Sequence, residues 1–400
     1  MAPPPDYDVL VVGGGPVGLL LGSLLGLKGL RTLVIEKNPS PPEQSMAIGI
    51  TPPSLELFRQ LDLDALFVEN GTRVDLARVH EGPRLVGELR FDALVSPHPF
   101  ILAIPQATTI ELLEDRLNQA PRVTFRRQCR LLGFEQGRDR VTASILRHGD
   151  PDAHQLTASF LVGCDGHRSQ VREAAGIKSI QEKNYLPRFL MADFADTTDL
   201  GSAAHLFFSR HGSIESFPLP GRRRRWIIQA DRLSDPPQPA RLVECVEQQT
   251  GYDLTGDICY SASLFSVRRF VCQRYFRDRV VLCGDAAHVM SPIGGQGMNT
   301  GFADAEFLAA ALARHCRGGE DFHRLFADYD RLRRIAFKVA ADRAERGMWL
   351  GTRRGRLASV LRFLFLKSLL SPLCRTALPP YFAMLTIPYR SLAAAGSEWD

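Results

Sequence analysis

The stretch VVGGGPVGLLLG at residues 11–22 decides the predicted fold, because it contains the G-x-G-x-x-G spacing of a dinucleotide-binding turn. The apolar run DVLVV at 8–12 predicts a buried strand before this turn. Residues 17–27 predict a helix after it, and RTLVIEK at 31–37 predicts a second strand. Strand, glycine turn, helix and strand in this order predict the first unit of a Rossmann-like fold.

Each glycine of the turn has a steric reason to be there. Gly13 permits the tight turn, Gly15 lets a pyrophosphate approach the backbone, and Gly18 lets helix and strand pack closely. Pro16 and Val17, which lie between Gly15 and Gly18, begin the predicted helix. We therefore predict that these five residues surround the phosphates of a dinucleotide.

Glu36 stands at the tip of the second predicted strand, about 20 residues beyond the glycines, with Lys37 beside it. A carboxylate in this position accepts hydrogen bonds from both ribose hydroxyls of an adenosine. Because an acid there disfavours a 2′-phosphate, the predicted bound dinucleotide is FAD or NAD and not NADP.

Two later stretches repeat the pattern of a buried strand followed by a polar turn: SFLVGCDGHRSQVREAAGI at 159–177 and RVVLCGDAAHVMSPIGGQGMNTGFADAEFLA at 279–309. The apolar run of the first ends at Asp165 and Gly166. The second continues through a glycine-rich loop at 294–297 into a predicted helix. The backbone N–H groups of such a loop suit an anionic or electron-rich group.

The three ordered motifs resemble the class A FAD-dependent monooxygenases, the para-hydroxybenzoate hydroxylase-like family, near the hydroxylases of aromatic polyketides. The resemblance covers roughly residues 6–345 and implies an α/β fold, with a Rossmann-like FAD-binding domain of the GR2/PHBH type, an inserted β-sheet substrate domain and C-terminal helices. The implied boundaries are 1–75, 101–180 and 271–345 for the discontinuous FAD-binding domain, 76–100 and 181–270 for the substrate-binding sheet domain, and 346–400 for the C-terminal helical segment.

The resemblance names FAD as the cofactor. It implies that Asp285 binds the ribityl chain, that the loop from Pro292 to Asn299 lies along the isoalloxazine, and that Gln106 faces the flavin. Asp165 and Gly166 belong to a D-G-x-x-S-x-x-R pattern, completed by Ser169 and Arg172, that would shape the FAD site and the path of the pyridine nucleotide. The whole predicted cofactor-binding set is Gly13, Gly15, Pro16, Val17, Gly18, Glu36, Lys37, Met46, Gln106, Cys129, Asp165, Gly166, Arg168, Gly284, Asp285, Pro292, Gly295, Gln296, Gly297, Met298 and Asn299.

One residue departs from the family pattern. Met46, in the segment SMAIGI, stands where the family usually has an arginine that contacts the flavin's phosphate or ribityl region. Its presence predicts weaker FAD retention or a more mobile isoalloxazine, which Met46→Arg would reverse.

The resemblance implies that NAD(P)H reduces FAD and that O₂ then forms a flavin C4a-hydroperoxide. The oxygen would hydroxylate or epoxidise an aromatic or conjugated hydrophobic small molecule, in secondary metabolism or aromatic catabolism. A flavin-dependent reductase of the geranylgeranyl reductase kind, acting on a lipophilic substrate, is the alternative enzyme. A non-catalytic FAD-binding protein is the alternative from another class. A halogenase is disfavoured, because Trp226, Trp349 and Trp399 form no W-x-W-x-I-P stretch.

The substrate domain is predicted to contain a sheet rich in aromatic and branched residues, with strands at 185–194, 203–208, 214–219 and 226–230. A base that deprotonates a phenol must reach the ring hydroxyl. The candidates are Tyr185, His205, His211 and Tyr260, although our preferred interpretation of each is an ordinary sheet or loop residue. His288 is interpreted as structural.

The sequence GRRRR at 221–225 follows PLP and predicts a turn between two strands. Our preferred interpretation is a solvated hairpin tip. The alternative is a landing site for the 2′-phosphate of NADPH.

Composition predicts a soluble, cytoplasmic protein. The net charge of +5 over 400 residues is too small to indicate a nucleic-acid partner. The eight cysteines contain no C-x-x-C pair, which favours buried thiols in a reducing compartment over a metal site or disulfides. We predict no signal peptide and no membrane span. The apolar and basic segment at 356–392 predicts helices that pack on the FAD domain or cover the substrate entrance, with peripheral membrane contact as the alternative.

Overall fold

The computed structural model describes residues 3–42, 47–230, 237–371 and 376–396, within which the chain forms three sheets and their covering helices. The strands are β1 (Tyr7–Val12), β2 (Thr32–Ile35), β3 (Gly49–Ile50), β4 (Thr72–Val74), β5 (Leu76–Glu81), β6 (Arg84–Arg90), β7 (Ile101–Ala103), β8 (Val123–Arg126), β9 (Cys129–Gln136), β10 (Val141–Arg147), β11 (His154–Gly163), β12 (Ser179–Ala195), β13 (Ala204–Ser209), β14 (Gly212–Leu219), β15 (Arg223–Gln229), β16 (Cys259–Cys272), β17 (Phe276–Arg277), β18 (Val280–Leu282) and β19 (His288–Val289). The helices are α1 (Pro16–Leu27), α2 (Pro52–Arg59), α3 (Asp64–Asn70), α4 (Gln106–Asn118), α5 (Gln170–Ala174), α6 (Pro239–Thr250), α7 (Gln296–Gly318), α8 (Phe322–Thr352), α9 (Arg356–Leu369), α10 (Leu378–Phe382) and α11 (Leu392–Ala395).

The first sheet has the strand order β17-β18-β11-β1-β2-β8, and β10 and β9 extend it from β11. Strands β18, β11, β1, β2 and β8 pair in parallel. Val9, Leu10 and Val11 of β1 are fully buried because helices cover both faces of a parallel sheet. All the carboxyl ends of these parallel strands therefore lie at one edge.

The second sheet has the order β19-β16-β12-β15-β14-β13-β5-β6 and is antiparallel except for the β13–β5 pair. Its strands β12 to β15 confirm the four strands predicted between residues 185 and 230. One face carries Ile214, Trp226 and Ile228 and packs beneath Leu242 and Val246 of α6. The other face is directed towards the first sheet's loops and α8.

A third, small sheet of order β3-β7-β4 contacts β14 of the second sheet. The long helix α8 joins the two large sheets. Its Phe326 and Tyr329 belong to the main core, whereas its Met348 packs against Phe189 and Val267 of the second sheet.

The C-terminal helices pack on both large layers. Helices α9 and α10 contact the edge strand β6 of the second sheet, and α11 contacts α7. Leu370, just beyond α9, lies against Gly87, where an added Cβ would be 2.8 Å from the leucine Cβ. Within the predicted segment 356–392, Met384 and Ile387 pack in the main core beside the first sheet, whereas α9 covers the second sheet's edge.

Helix α9 keeps several large apolar side chains in solvent: Leu357, Val360, Leu361, Leu364 and Phe365. Within the described ranges, no helix combines the length and the apolar composition needed to cross a membrane.

Candidate flavin site

The sequence motifs converge at the carboxyl edge of the first sheet. The glycine turn follows β1, Glu36 follows β2, Asp165 and Gly166 follow β11, and Gly284 follows β18. Because these four strands are parallel neighbours, their exit turns lie side by side. Ligands of open α/β sheets bind at this edge.

The three motif glycines meet different surroundings. A Cβ on Gly13, whose φ is +115°, would lie 2.3 Å from the Cys164 carbonyl oxygen, and a Cβ on Gly18 would lie 1.9 Å from the Gly13 carbonyl oxygen. These two glycines are required by the protein's own packing. A Cβ on Gly15 would meet no protein atom within 4 Å, so the space before the N-terminus of α1 is open.

Glu36 is held firmly at the end of β2. One carboxylate oxygen accepts a hydrogen bond from the Gly14 N–H at 2.8 Å, and the other accepts one from the Asn38 N–H at 2.8 Å. The Glu36 carbonyl accepts a bond from the N–H of Cys129, a predicted cofactor residue that is itself buried. Each carboxylate oxygen keeps a lone pair for a further donor.

The second and third motifs are joined through Arg172. Its guanidinium donates to the Ala286 carbonyl at 3.1 Å and to the His167 carbonyl at 3.0 Å. Ser169 caps α5 by accepting the Arg172 N–H at 2.9 Å. Ser169 and Arg172 therefore position the two turns.

Asp285 stands in the turn after β18, close enough to His167 of the turn after β11 for their charges to interact. The surrounding protein desolvates the Asp285 carboxyl and so raises the pKa, while the side chain is still in contact with solvent. The neighbouring His167 has a pKa lowered by burial and partly restored by the Asp285 charge. A polar group that is enclosed yet accessible is suited to bind a ligand.

Two buried oxygens at this edge have no hydrogen-bond partner in the described part of the chain: Asp165 Oδ1 and Gln296 Oε1. Buried polar atoms in proteins are normally paired, so each indicates a ligand or an ordered water. Together with the open space at Gly15 and Gly166, they fit the polar ADP and ribityl parts of FAD.

The glycine-rich loop before α7 is shaped by two left-handed residues, Gly294 at φ +85° and Gly295 at φ +64°. Asn299 fixes the loop from inside. Its Nδ2 donates to the Gly295 carbonyl at 2.8 Å, while its Oδ1 accepts from Thr51 and Ser54. Asn299 therefore orients the loop, and its side-chain bonds are used within the protein.

Val17 and Asp304 connect the first and third motifs. A Cβ added to Gly301 of α7 would lie 2.7 Å from Val17, so the valine fits against the glycine. Asp304 accepts hydrogen bonds from His288 at 2.7 Å, from Arg333 at 2.6 Å and from the Gly284 N–H at 3.3 Å. The His288–Asp304 hydrogen bond agrees with the structural interpretation of His288. No feature of the sequence indicates that Asp304 is its partner.

The remaining predicted cofactor residues differ in placement. Pro16 and Gln106 are the first residues of α1 and α4, and Pro292, Gly297 and Met298 belong to the loop and the start of α7. Lys37 and Arg168 are exposed. Met46 lies outside the described residues.

Three of the four candidate bases do not lie beside the glycine-rich loop before α7. His205 lies on the α6 side of the second sheet, 3.1 Å from the His80 ring, and burial lowers its pKa to about 4. His211 is exposed in the β13–β14 turn, and Tyr260 is exposed beneath Arg223. Tyr185 lies by Ile293, but burial and Glu345 raise its pKa to about 12, so the phenol stays neutral.

The interpretation of 221–225 as a solvated hairpin tip is wrong for half of its arginines. Arg224 and Arg225 are 0% and 1% exposed, and they pair with Asp196 at 2.9 Å and with Asp193 at 2.6 Å. Alternation places the two side chains on opposite faces of β15, and each is buried there beside an aspartate, Asp193 on β12 or Asp196 directly after it.

The NADPH alternative also lacks geometric support. Arg223 pairs with Ala195 at the carboxyl end of β12. The amino end of β12, where Ser179 pairs with Cys272 of β16, is the end nearer to the first sheet. A strand of 17 residues separates its two ends by roughly 50 Å.

We therefore expect Arg222→Gln with Arg223→Gln to leave the preference between NADPH and NADH unchanged. Both side chains are exposed, so the free energy of unfolding should change by less than about 0.5 kcal/mol. Steady-state kinetics with each nucleotide measures the first quantity and urea unfolding the second. A selective loss of NADPH use would restore the phosphate-site interpretation.

Comparison with known proteins agrees with this geometry. Residues 6–344 match the family described as FAD binding domain. The rifampicin monooxygenase of Streptomyces venezuelae is 33% identical over 318 residues, covering 78% of this chain and 65% of that protein. The 6-methylpretetramide 4-monooxygenase of Streptomyces rimosus is 34% identical over 328 residues, covering 79% of this chain and 58% of that protein. This chain thus spans 58% to 65% of the length of these two curated relatives.

Among solved structures, the OxyS anhydrotetracycline hydroxylase from Streptomyces rimosus superposes with a TM-score of 0.78 at 28% identity, covering 96% of this chain and 77% of that one.

Proposed function

Because this chain belongs to the FAD-binding-domain family of class A flavoprotein monooxygenases, we propose that it uses FAD, NAD(P)H and O₂ to hydroxylate or epoxidise an aromatic or conjugated hydrophobic molecule. The observation that carries the proposal is the convergence of the exit turns of β1, β2, β11 and β18 around an open space at Gly15. Both relatives compared above are named monooxygenases, which favours oxygen transfer over the reductase alternative.

In this proposal the ADP half of FAD lies between Gly15 and Glu36. The open N-terminus of α1 suits the pyrophosphate, since unpaired N–H groups and the helix dipole favour an anion. The Glu36 carboxylate, fixed by two backbone N–H groups, is placed to accept the ribose hydroxyls. Asp285 and the 292–299 loop take the ribityl chain and the ring.

When bound, FAD supplies the redox chemistry, taking electrons from the nicotinamide and passing oxygen to the substrate. The protein must position the substrate and exclude water. Apolar side chains from the second sheet, the loop and α8 form a cluster that suits both roles, consisting of Tyr185, Phe189, Ile227, Phe265, Val267, Ile293 and Met348. The names of the two relatives, which act on rifampicin and on a pretetramide, support a polycyclic aromatic substrate here.

Anaerobic mixing of the FAD-loaded protein with NADPH tests the proposal. We expect the visible flavin absorbance to bleach, and to bleach faster in the presence of one class among a panel of phenolic and quinonoid polycycles. Readmitted O₂ should then give a product that is one oxygen atom heavier, detected by mass spectrometry. A colourless protein that takes up no FAD, or a yellow one inert to both nicotinamides, would contradict the proposal.

Two further predictions concern the surroundings of the protein. A cytoplasmic location is consistent with the free cysteines of the described ranges. For peripheral membrane contact the support is the exposed apolar side of α9 alone, so we leave that contact outside the proposed function.

A further inference from the structure

Glu215 is an acid placed among apolar side chains on β14, a strand in the interior of the second sheet. Its cross-strand neighbours are Leu206 on β13 and Ile227 on β15. Side chains alternate along a strand, so Glu215 lies on the face opposite Ile214 and away from α6.

The face that carries Glu215 packs towards the glycine-rich loop before α7. Ile227 packs in one cluster with Ile293 of the loop and Met348 of α8. Leu206 packs in another cluster, with Ile101 of β7. Glu215 therefore lies between the two apolar clusters that connect the second sheet to the rest of the molecule.

The Glu215 carboxylate has no hydrogen-bond or ion-pair partner within the described ranges. Burial alone raises its pKa to about 7, while the residue keeps partial access to solvent. An acid that is surrounded by apolar side chains but still in contact with solvent can be reached by a ligand.

The charged groups around Glu215 are engaged elsewhere. On β15, Arg225 pairs with Asp193, and on α8, Glu345 pairs with Arg269 at 2.5 Å. On β5, the strand next to β13, Glu81 pairs with Arg362 at 3.0 Å. On β4, the Arg73 guanidinium lies over the Phe100 ring, 5.0 Å from its centroid. None of these groups contributes to the shift in the Glu215 pKa.

We propose that Glu215 binds a ring hydroxyl of the substrate and accepts its proton. The O–H bond of the phenol breaks, the proton passes to a Glu215 carboxylate oxygen, and the electron pair stays on the phenol oxygen, where it enriches the ring for attack by electrophilic oxygen. The inference rests on the proposed function and narrows its substrate class to hydroxylated aromatics. Each substrate must therefore carry a ring hydroxyl that can donate a hydrogen bond to the Glu215 carboxylate.

Equilibrium dialysis of the FAD-loaded protein against 2-naphthol, without NADPH, tests the inference. The neutral naphthol donates to the ionised carboxylate, so its affinity should rise as the pH rises through about 7. With only the ionised fraction competent, the gain between pH 6 and pH 8 is about tenfold. 2-Methoxynaphthalene lacks the donor and should bind with the same affinity throughout.

Glu215→Gln should remove the pH dependence while 2-methoxynaphthalene still binds. The matched control is Glu244→Gln on the exposed side of α6, which should keep the wild-type profile. Glu215→Asp withdraws the carboxylate by one methylene and should keep the pH step with weaker binding. This second variant keeps the test decisive if Glu215→Gln does not fold.

A pH-independent affinity in the wild-type protein, or a pH step that survives in Glu215→Gln, would overturn the role of Glu215. Failure of the proposed function is distinguishable, because it is read from NADPH-dependent bleaching, which the dialysis does not use. A protein that bleaches normally but binds 2-naphthol without pH dependence would lose only this inference.

Discussion

Replacing Asp304 with asparagine should lower the free energy of unfolding of the apoprotein by about 3–5 kcal/mol, the usual cost of breaking a buried ion pair. Asp304 on α7 and Arg333 on α8 are 0% and 1% exposed, and their side chains are 2.6 Å apart. The amide cannot neutralise the guanidinium, which would remain charged and buried. Urea unfolding followed by circular dichroism measures the change.

The carboxylate is the ionised form at neutral pH. Burial raises its pKa, but His288 and Arg333 outweigh this and hold the pKa of Asp304 below its ordinary value. Because the folded pKa is depressed, the stabilisation is present above the unfolded pKa and is lost as the pH falls through the lower folded value. Asp304→Asn should therefore flatten the acid limb of the stability profile.

Asp328→Asn is the matched control for Asp304→Asn. It removes a carboxylate from α8 that pairs with Arg331 at 3.3 Å on the surface. Exposed pairs contribute about 0–1 kcal/mol, so this change should be small. Equal losses in the two variants would mean that the buried pair adds nothing beyond a surface one.

The early part of the site could be predicted because its determinants are local. Gly13, Gly15 and Gly18 fall within six residues, and their turn has steric requirements that the sequence alone expresses. The strands β1 and β2 on either side are short apolar runs, and Glu36 follows at a fixed spacing. The structure adds that Glu36 is fixed by the N–H groups of Gly14 and Asn38.

The contacts of α7 could not be predicted, because they join distant parts of the chain. Asn299 binds Thr51 and Ser54, 248 and 245 residues away along the sequence. Asp304 lies in a helix rich in alanine, where nothing indicates that an arginine from the next helix will reach it. Such pairings depend on tertiary packing.

The arginines at 224 and 225 show how a local charge pattern misleads. Four consecutive arginines indicate a solvated surface, but the last three belong to β15, and Arg224 and Arg225 are buried beside Asp196 and Asp193. Glu215 was missed for a related reason. Alternation places it opposite Ile214, but only the packing of α6 on the Ile214 side establishes which face is directed towards the glycine-rich loop before α7.

Gly15→Val should weaken FAD binding by about 10- to 100-fold and leave the stability of the apoprotein nearly unchanged. The backbone of Gly15 is extended, at φ −77° and ψ 178°, so a valine adopts it without strain. No protein atom lies within 4 Å of the added Cβ, and the new side chain therefore fills only the space assigned to the pyrophosphate. An overpacking cost of about 1–3 kcal/mol corresponds to this loss of affinity.

Gly18→Val separates the two roles of the motif. Its Cβ would lie 1.9 Å from the Gly13 carbonyl oxygen, so this variant must displace α1 and should lose both apoprotein stability and FAD binding. Fluorescence quenching on titration of apoprotein with FAD gives the affinity, and thermal unfolding without FAD gives the stability. If Gly15→Val binds FAD as tightly as the wild-type protein, the open space before α1 is not where the pyrophosphate lies; if its apoprotein is as unstable as that of Gly18→Val, the glycine serves the fold rather than the cofactor.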